Sequence, residues 1–199
     1  MSPLRLLELL RQPRYLARRI AYKAYELRHP DEPWIAQGAV RFCDGWLTRD
    51  MRGLEWGSGR STAWFARRLG HLASVEHSQE WHARVRENLK EFRNIDYRWV
   101  PLDHPVSEPT RPHYDLMPRY VAVADEFDDE SLDLVVIDGH YRQACVLAAL
   151  PKLRAGGLLL IDNTNRLPLA EWGVPSTYTI RHQSENVMTQ TTIWQKHHT

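Results

Sequence analysis

One stretch of ten residues constrains the fold of this chain more than any other: Gly53-Leu-Glu-Trp-Gly-Ser-Gly-Arg-Ser-Thr62. An apolar run ends on Glu55, passes through Gly57 and Gly59, and continues directly into a predicted helix. About 21 residues after Glu55, a second apolar run ends on another acid, Glu76. This is the layout of a βαβ nucleotide site, in which glycines let the backbone approach the ligand and the second acid accepts the hydroxyls of a ribose.

The third position of the glycine motif separates two classes of nucleotide. A dinucleotide turn needs Gly-x-Gly-x-x-Gly, because the third glycine lets the helix pack closely on the strand. Here Thr62 occupies that position. Glu55 also places a negative charge where a pyrophosphate would lie, whereas a carboxylate can pair with the ammonium group of an amino acid. The motif therefore favours a nucleotide that carries an amino acid, and a glycine-rich turn without a ligand is the alternative.

This motif resembles the first motif of the class I S-adenosylmethionine (SAM) methyltransferases, which reads Glu/Asp-x-Gly-x-Gly. The resemblance implies that SAM binds at the turn, with Glu76 on the ribose hydroxyls and Glu55 near the amino-acid end. The predicted cofactor-binding residues are Glu55, Gly57, Ser58, Gly59, Ser61, Thr62, Glu76, His77 and Asp138.

Composition excludes several other classes of protein. A chain of 199 residues is long enough for one domain with a substantial core. Its 26 basic and 25 acidic residues nearly cancel, so the net charge predicts no nucleic-acid partner. Neither a transmembrane run nor a signal peptide is recognisable, and two cysteines, Cys43 and Cys145, are too few for a disulfide framework or a cysteine-based zinc site. We expect a cytoplasmic protein.

The first 30 residues are locally basic and are predicted to form a helical extension of a single SAM-binding domain over residues 31–199. Pro13 should divide the extension into two helices. In the second helix, an apolar stripe is predicted to pack on the core: Leu16, Ile20, Ala24 and Leu27. Contact of residues 1–29 with a membrane surface is the alternative, and a homodimer is also possible.

From residue 52 onward, short apolar runs alternate with helical patterns. Strands are predicted near 52–56, 72–76, 95–100, 132–138 and 157–162, and helices at 60–70, 78–92, 118–126 and 141–153. This alternation predicts an α/β fold with a doubly wound, mostly parallel sheet. Two further β-like runs, 176–182 and 190–196, have no helix between them and predict a closing antiparallel hairpin.

The segment 101–118 interrupts this alternation with five prolines. Because long loops in compact domains are commonly functional, a lid or substrate-specificity loop is predicted, with disorder as the alternative.

Among the tryptophans, Trp56, Trp64 and Trp81 are assigned to the core rather than to an adenine platform. Trp34 is a candidate lid over the cofactor.

A second group of polar residues follows two later strands. One apolar strand ends at Asp138, with His140 soon after it, and the next ends at Asp162 and Asn163. In a doubly wound sheet both ends lie at the carboxyl edge, beside the glycine turn. Asp138, Asp162 and Asn163 could therefore supply three oxygen ligands to Mg²⁺. The alternative is that Asp138 shapes a turn while the other two cap the following segment.

These strand ends resemble those of the metal-dependent O-methyltransferases of the catechol O-methyltransferase type. The Ile-Asp-Gly-His segment that ends at His140, taken with the glycine motif, is also similar to small bacterial methyltransferases. The resemblance implies a divalent ion that binds the hydroxyl oxygens of the acceptor. Without a metal, His140 or Asp138 would act as the catalytic base.

The sequence as a whole predicts a SAM-dependent methyltransferase that acts on a hydroxyl oxygen of a small acceptor molecule. Two other functions are considered. A nicotinamide-dependent oxidoreductase would use the same βαβ unit, although Thr62 and Glu55 count against it. A non-catalytic SAM-binding or scaffold protein would use the basic extension to bind a partner.

Overall fold

A computed structural model describes residues 13–107 and 111–198 of the chain. In chain order its helices are α1 Pro13–Arg28, α2 Gln37–Trp46, α3 Arg60–Ala66, α4 Gln79–Asn88, α5 Arg119–Ala122 and α6 Arg142–Ala149. Its strands are β1 Arg52–Trp56, β2 His71–Glu76, β3 Ile95–Trp99, β4 Leu132–Ile137, β5 Leu153–Ile161, β6 Tyr178–Glu185 and β7 Gln190–Lys196. Short 3-10 turns occupy Val123–Glu126, Thr164–Arg166 and Leu169–Trp172.

The described strands form one sheet in the order β3-β2-β1-β4-β5-β7-β6. Strand β1 lies between β2 and β4 and is parallel to both, with Glu55 opposite Ser74 on one side and Val136 on the other. Strand β7 is antiparallel to both β5 and β6. The predicted α/β sheet with a closing antiparallel hairpin is confirmed. Its strand order reverses between β1 and β4, and ligands bind at such a reversal in doubly wound sheets.

Both faces of the sheet are covered by helices, which explains the apolar composition of its central strands. All six residues of β4 are buried, as are four of the five residues of β1. One core contains Trp56 of β1 with Tyr120 of α5. The core on the other face contains Phe65 of α3 with Val136 of β4. Strands buried on both faces have nearly continuous apolar runs rather than alternating ones.

The amino-terminal helix α1 differs from its prediction. The helix begins at Pro13, which the first turn of a helix tolerates, and the helix predicted before it lies outside the described residues. No residue of α1 is buried, and Ile20 and Leu27 of the predicted core-facing stripe are 62% and 75% exposed. The prediction that this stripe packs on the core is therefore wrong, because periodicity identifies an apolar face without identifying what covers it.

Several wider expectations about the chain stay predictions. These are the membrane-surface contact of residues 1–29, the homodimer, and the division of the chain at residue 30. Within the described part of the chain, no helix is long and apolar enough to cross a membrane. Cys43 and Cys145 are both buried free thiols.

Most of the other elements lie within a few residues of their predicted ends. The exceptions are the predicted helix 118–126, which is a short α5 followed by a 3-10 turn, and β5, which begins at Leu153 instead of near 157. In the loop 101–118, residues 108–110 lie outside the described residues. Its role as a lid stays a prediction.

Candidate active site

The glycine turn after β1 packs directly against the turn after β4. Gly57 has a φ angle of +92°, which residues with a side chain rarely adopt. A Cβ atom on Gly57 would lie 2.6 Å from the backbone nitrogen of Gly139 and 2.7 Å from the carbonyl carbon of Asp138. By contrast, a Cβ atom on Gly59 would point into open space. The first glycine thus lets two turns approach each other, and the second leaves room beside the turn.

Beneath the turn, the side chain of Glu55 is fully buried. The hydroxyl groups of Thr62 and Ser74 donate to its Oε2 over 2.7 and 2.6 Å. The backbone N–H of Gly59 donates to the Thr62 hydroxyl over 3.0 Å. Burial raises the pKa of Glu55 to about 7, although the hydroxyl groups of Ser61 and its neighbours lower it in part. Glu55 therefore connects strands β1 and β2 with the start of helix α3 from the interior of the fold. The predicted contact of Glu55 with the amino-acid end of SAM stays a prediction.

Beside the turn, Glu76 at the end of β2 is also buried but has different partners. The backbone N–H and hydroxyl of Ser58 donate to Oε2 over 3.1 and 3.0 Å. The N–H of Ser78 donates to Oε1 over 2.8 Å, and Nδ1 of His77 lies 3.2 Å from the same oxygen. Burial alone would raise the pKa of Glu76, but these hydrogen bonds hold it below its usual value. Glu76 is consequently a carboxylate anion that reaches the edge of the glycine turn.

Aromatic rings connect the turn after β4 with the loop 101–118. The ring of His140 lies 6.1 Å from that of His77 and 4.5 Å from that of Tyr141, between centroids. Tyr141 has a φ angle of +51°, and its hydroxyl lies 2.9 Å from both the backbone nitrogen and Nδ1 of His104. The structure thus places His77 and His140 at the same edge of the sheet, in contact with rings that reach the predicted lid.

The guanidinium group of Arg142 joins the ends of β4 and β5. Its Nη2 donates over 2.8 Å to both Oδ1 and the carbonyl oxygen of Asp138, and its Nε donates over 3.0 Å to the carbonyl oxygen of Gly139. Its Nη1 donates to the carbonyl oxygen of Asp162. Arg142 is not among the residues predicted from the sequence, although its position four residues after Asp138, at the start of α6, is a spacing that favours such a pair.

Burial raises the pKa of Asp138 to about 6, although Arg142 opposes the shift, and the nearby carboxylate of Asp162 adds to it. Among the described residues, no group donates a hydrogen bond to Oδ2 of Asp138. The Asp138 carboxyl group therefore has a raised pKa and lies beside the glycine turn with one of its oxygens, Oδ2, open to a ligand.

The three side chains predicted to hold Mg²⁺ have other partners. Oδ1 of Asp162 accepts hydrogen bonds from the hydroxyls of Thr189 and Thr191 over 2.8 and 2.5 Å. The amide of Asn163 donates to the Thr189 hydroxyl over 2.5 Å, so its nitrogen faces this network. Arg142 already supplies a cation at the two strand ends. The magnesium site stays a prediction.

The tryptophans divide between the core and the site. Trp56 and Trp64 are buried, in agreement with their assignment to the core. Trp81 is partly buried, and its Nε1 donates over 2.8 Å to the carbonyl oxygen of Ser58 in the glycine turn. Trp34 is 46% exposed and stacks on Trp81 with 6.3 Å between ring centroids. Its role as a lid over the cofactor stays a prediction.

Comparison with solved structures finds the same fold in several bacterial proteins. An rRNA methylase from Streptococcus thermophilus is 12% identical, with a TM-score of 0.60 over 83% of this chain and 100% of that one. A methyltransferase-like protein from Silicibacter pomeroyi is 19% identical, with a TM-score of 0.59 over 83% and 88%. SMU.1697c from Streptococcus mutans, solved in complex with SAH, is 12% identical, with a TM-score of 0.55 over 78% and 94%. No curated protein matches the sequence.

A family model described as a methyltransferase domain matches residues 54–164, which is more than half of the chain. The match begins in β1 before the glycine turn and ends after Asp162 and Asn163, so it contains both groups of polar strand ends. The chain therefore belongs to the methyltransferase-domain family and is a SAM-dependent methyltransferase with the class I fold.

Proposed function

We propose that the enzyme transfers the methyl group of SAM to a hydroxyl oxygen of a small acceptor, with Asp138 as the catalytic base. The observation that carries this proposal is the environment of Asp138. Its carboxylate lies at the carboxyl edge of the sheet, has a pKa raised to about 6, and has one oxygen to which no described residue donates. A base of this kind is largely ionised at neutral pH and still accepts a proton readily.

The cofactor is proposed to lie over the glycine turn, between Glu76 and Asp138. Glu76 supports this position because its pKa is lowered, and a carboxylate at the end of the second strand is the group that accepts ribose hydroxyls in such a fold. Gly59, with open space at its Cβ position, leaves room for the amino-acid part of the cofactor. Glu55 is proposed to act from inside the fold by holding the turn, since its side chain has no exposed surface.

SAM supplies an electrophilic methyl group on a sulfonium. In the proposed reaction the acceptor oxygen forms a bond to the methyl carbon while the carbon–sulfur bond breaks, and the bonding pair returns to sulfur. Asp138 takes the hydroxyl proton, and Arg142 holds the carboxylate in position through Oδ1. Most of the rate enhancement then comes from alignment of the reacting groups and from this proton transfer.

His140 is the second candidate base, and it differs from Asp138 in its surroundings. Its ring lies beside those of His77 and Tyr141, and Nδ1 of His77 lies 3.2 Å from Oε1 of Glu76. We therefore assign it to the walls of the cofactor site. The oxidoreductase and scaffold functions are set aside because the family is that of methyltransferases.

The proposal is tested with Asp138→Asn and His140→Gln, assayed for SAH release over a panel of hydroxylated small molecules. Asp138→Asn retains an oxygen that can accept from Arg142 but removes the base, so kcat should fall by roughly 100-fold or more with little change in SAM affinity. In the wild type, kcat should rise as pH increases through about 6, where Asp138 loses its proton. The control, His140→Gln, should preserve that pH dependence.

A loss of the pH dependence in His140→Gln, with Asp138→Asn nearly as active as the wild type, would assign the base to His140. Methylation confined to amine acceptors in the same panel would contradict the choice of oxygen.

A further inference from the structure

A cavity of about 480 Å³ lies between α3 and α4, below the loop that follows α1. Two kinds of side chain dominate its lining, indole rings and guanidinium groups: Trp34, Trp81, Arg60, Arg67 and Arg84. Gly59 of the glycine turn also borders it, whereas Glu76 and Asp138 do not. The cavity is therefore next to the proposed cofactor site and separate from its acidic groups.

Arg60 is held in this cavity by a ring and not by a carboxylate. Its guanidinium carbon lies 4.8 Å from the centroid of Trp34, which in turn stacks on Trp81. Nη1 of Arg60 is buried and has no hydrogen-bond partner among the described residues. Arginine stays protonated at any physiological pH, so a buried donor without a partner is costly. The arrangement is explained if a ligand supplies the missing acceptor.

The charges that line the cavity indicate what kind of acceptor is missing. Three arginines face one acid, Asp31. Arg84 pairs with the exposed Glu80, whereas Arg60 and Arg67 have no carboxylate within ion-pair distance in the described parts of the chain. Two guanidinium groups that have no ion-pair partner among the described residues match a dianion better than a single carboxylate. Their planar donors also suit the oxygens of a phosphate, which arginine binds with two parallel hydrogen bonds.

We propose that this cavity binds the phosphate group of a phosphorylated acceptor, an inference that rests on the proposed methyl transfer to a small hydroxylated molecule. Gly59 at its border is two residues beyond Gly57, whose backbone packs against Asp138 and Gly139. A phosphate bound by Arg60 and Arg67 lies next to the glycine turn, which itself packs against the turn that carries Asp138. Trp34 is 46% exposed, and this exposed part of the side chain offers a surface for an apolar part of the same molecule.

The test is calorimetric titration of inorganic phosphate into the full chain saturated with SAH. Binding should be saturable in the wild type and weaker by roughly ten-fold or more in Arg60→Gln, because a charge-assisted hydrogen-bond pair is lost. Arg67→Gln should weaken it several-fold. Arg86→Gln is the matched control, since Arg86 is exposed on α4 outside the cavity, and it should bind phosphate as the wild type does.

Arg60→Lys keeps the charge without the planar fork and should bind phosphate with intermediate affinity. If Arg60→Gln does not fold, Arg60→Lys and Arg67→Gln decide the question. The proposal is overturned by absent binding in the wild type, by an equal loss in Arg86→Gln, or by acetate binding as tightly as phosphate.

Phosphate binding that occurs only without SAH would also overturn the proposal, because the cavity would then belong to the cofactor. Failure of O-methyl transfer is distinguished from these outcomes, since it would leave phosphate binding to the SAH-loaded protein unchanged.

Discussion

Two regions next to the glycine turn each contain a buried glutamate, and they shift the pKa of that glutamate in opposite directions. Beneath the turn, Glu55 accepts from the hydroxyls of Thr62 and Ser74, and its pKa is raised to about 7. Beside the turn, Glu76 accepts from two backbone N–H groups and from the Ser58 hydroxyl, it faces His77, and its pKa is lowered. Burial is the largest influence on both pKa values, but only at Glu76 do the hydrogen bonds and His77 together outweigh it.

The partners contribute to this difference between the two pKa values. A hydroxyl can donate to a carboxylate or accept from a carboxylic acid, so it tolerates either protonation state. A backbone N–H only donates and therefore stabilises the anion. The region around Glu55 is thus suited to stabilising the fold. The region around Glu76 instead stabilises a carboxylate anion at the edge of the glycine turn. Two acids at corresponding strand ends are not equivalent sites.

The largest expected effect is on folding. Glu55→Ala removes the acceptor of two buried hydroxyls and leaves a cavity beneath the turn, so the free energy of unfolding should fall by about 3 kcal/mol or more. Urea denaturation followed by circular dichroism measures it. The control is Glu87→Ala at an exposed site, which should change stability by less than about 0.5 kcal/mol. A Glu55→Ala variant as stable as this control would show that the two regions do not differ in the way described.

The next effect concerns pH. The folded-state pKa of Glu55, about 7, lies above its ordinary value of 4.5, so between these values the folded state binds more protons than the unfolded state. Stability from this group is therefore complete below about pH 4.5 and is lost as the pH rises to about 7, by an amount on the order of 3 kcal/mol. Glu55→Gln should remove this loss.

The measurement is the difference in unfolding free energy between wild type and Glu55→Gln at pH 5 and pH 8. His82 and His182, whose pKa values burial lowers, contribute the opposite slope in both proteins, so they cancel in the difference. Parallel pH profiles of the two proteins would mean that Glu55 is ionised throughout.

The smallest of the three effects is on SAM affinity. Glu76→Gln replaces the anion proposed to bind the ribose, and the lost charge-assisted hydrogen bonds should weaken SAM binding by roughly ten- to a hundred-fold. Calorimetry with SAM measures the change. Glu80→Gln, at an exposed position on the adjacent helix, is the matched control and should bind as the wild type does. Equal affinity of the Glu76→Gln variant would place the ribose elsewhere.

The local pattern was enough to predict the sheet and the place of the site. Strand β1, the glycine turn and α3 are adjacent in sequence. The apolar run predicts the strand, the glycines predict the turn, and the helical period predicts the helix. The same holds for β4, since a continuous apolar run predicts a strand covered on both faces. The pattern was less informative for α1, where the apolar stripe is present but Ile20 and Leu27 are exposed.

The chemistry of the site depended on contacts between residues far apart in the chain. The sequence predicts metal ligands at Asp162 and Asn163 because it shows their residue types and their place after β5. The antiparallel pairing of β7 brings Thr189 and Thr191 to them, 26 to 29 residues away, where these threonines hydrogen-bond Oδ1 of Asp162 and the amide nitrogen of Asn163. No pattern within β5 indicates which strand lies beside it, so this network could not be foreseen.

The sequence by itself determined the α/β sheet, the glycine turn and the SAM-binding family, because these follow from short-range periodicity and from backbone conformations that only certain residues adopt. Tertiary structure alone decided that Glu55 faces inward while Glu76 stays an anion, and that Arg60 rests on Trp34 beside a cavity. The physical reason is that protonation and hydrogen bonding depend on which groups surround a side chain, and folding assembles those groups from distant parts of the chain.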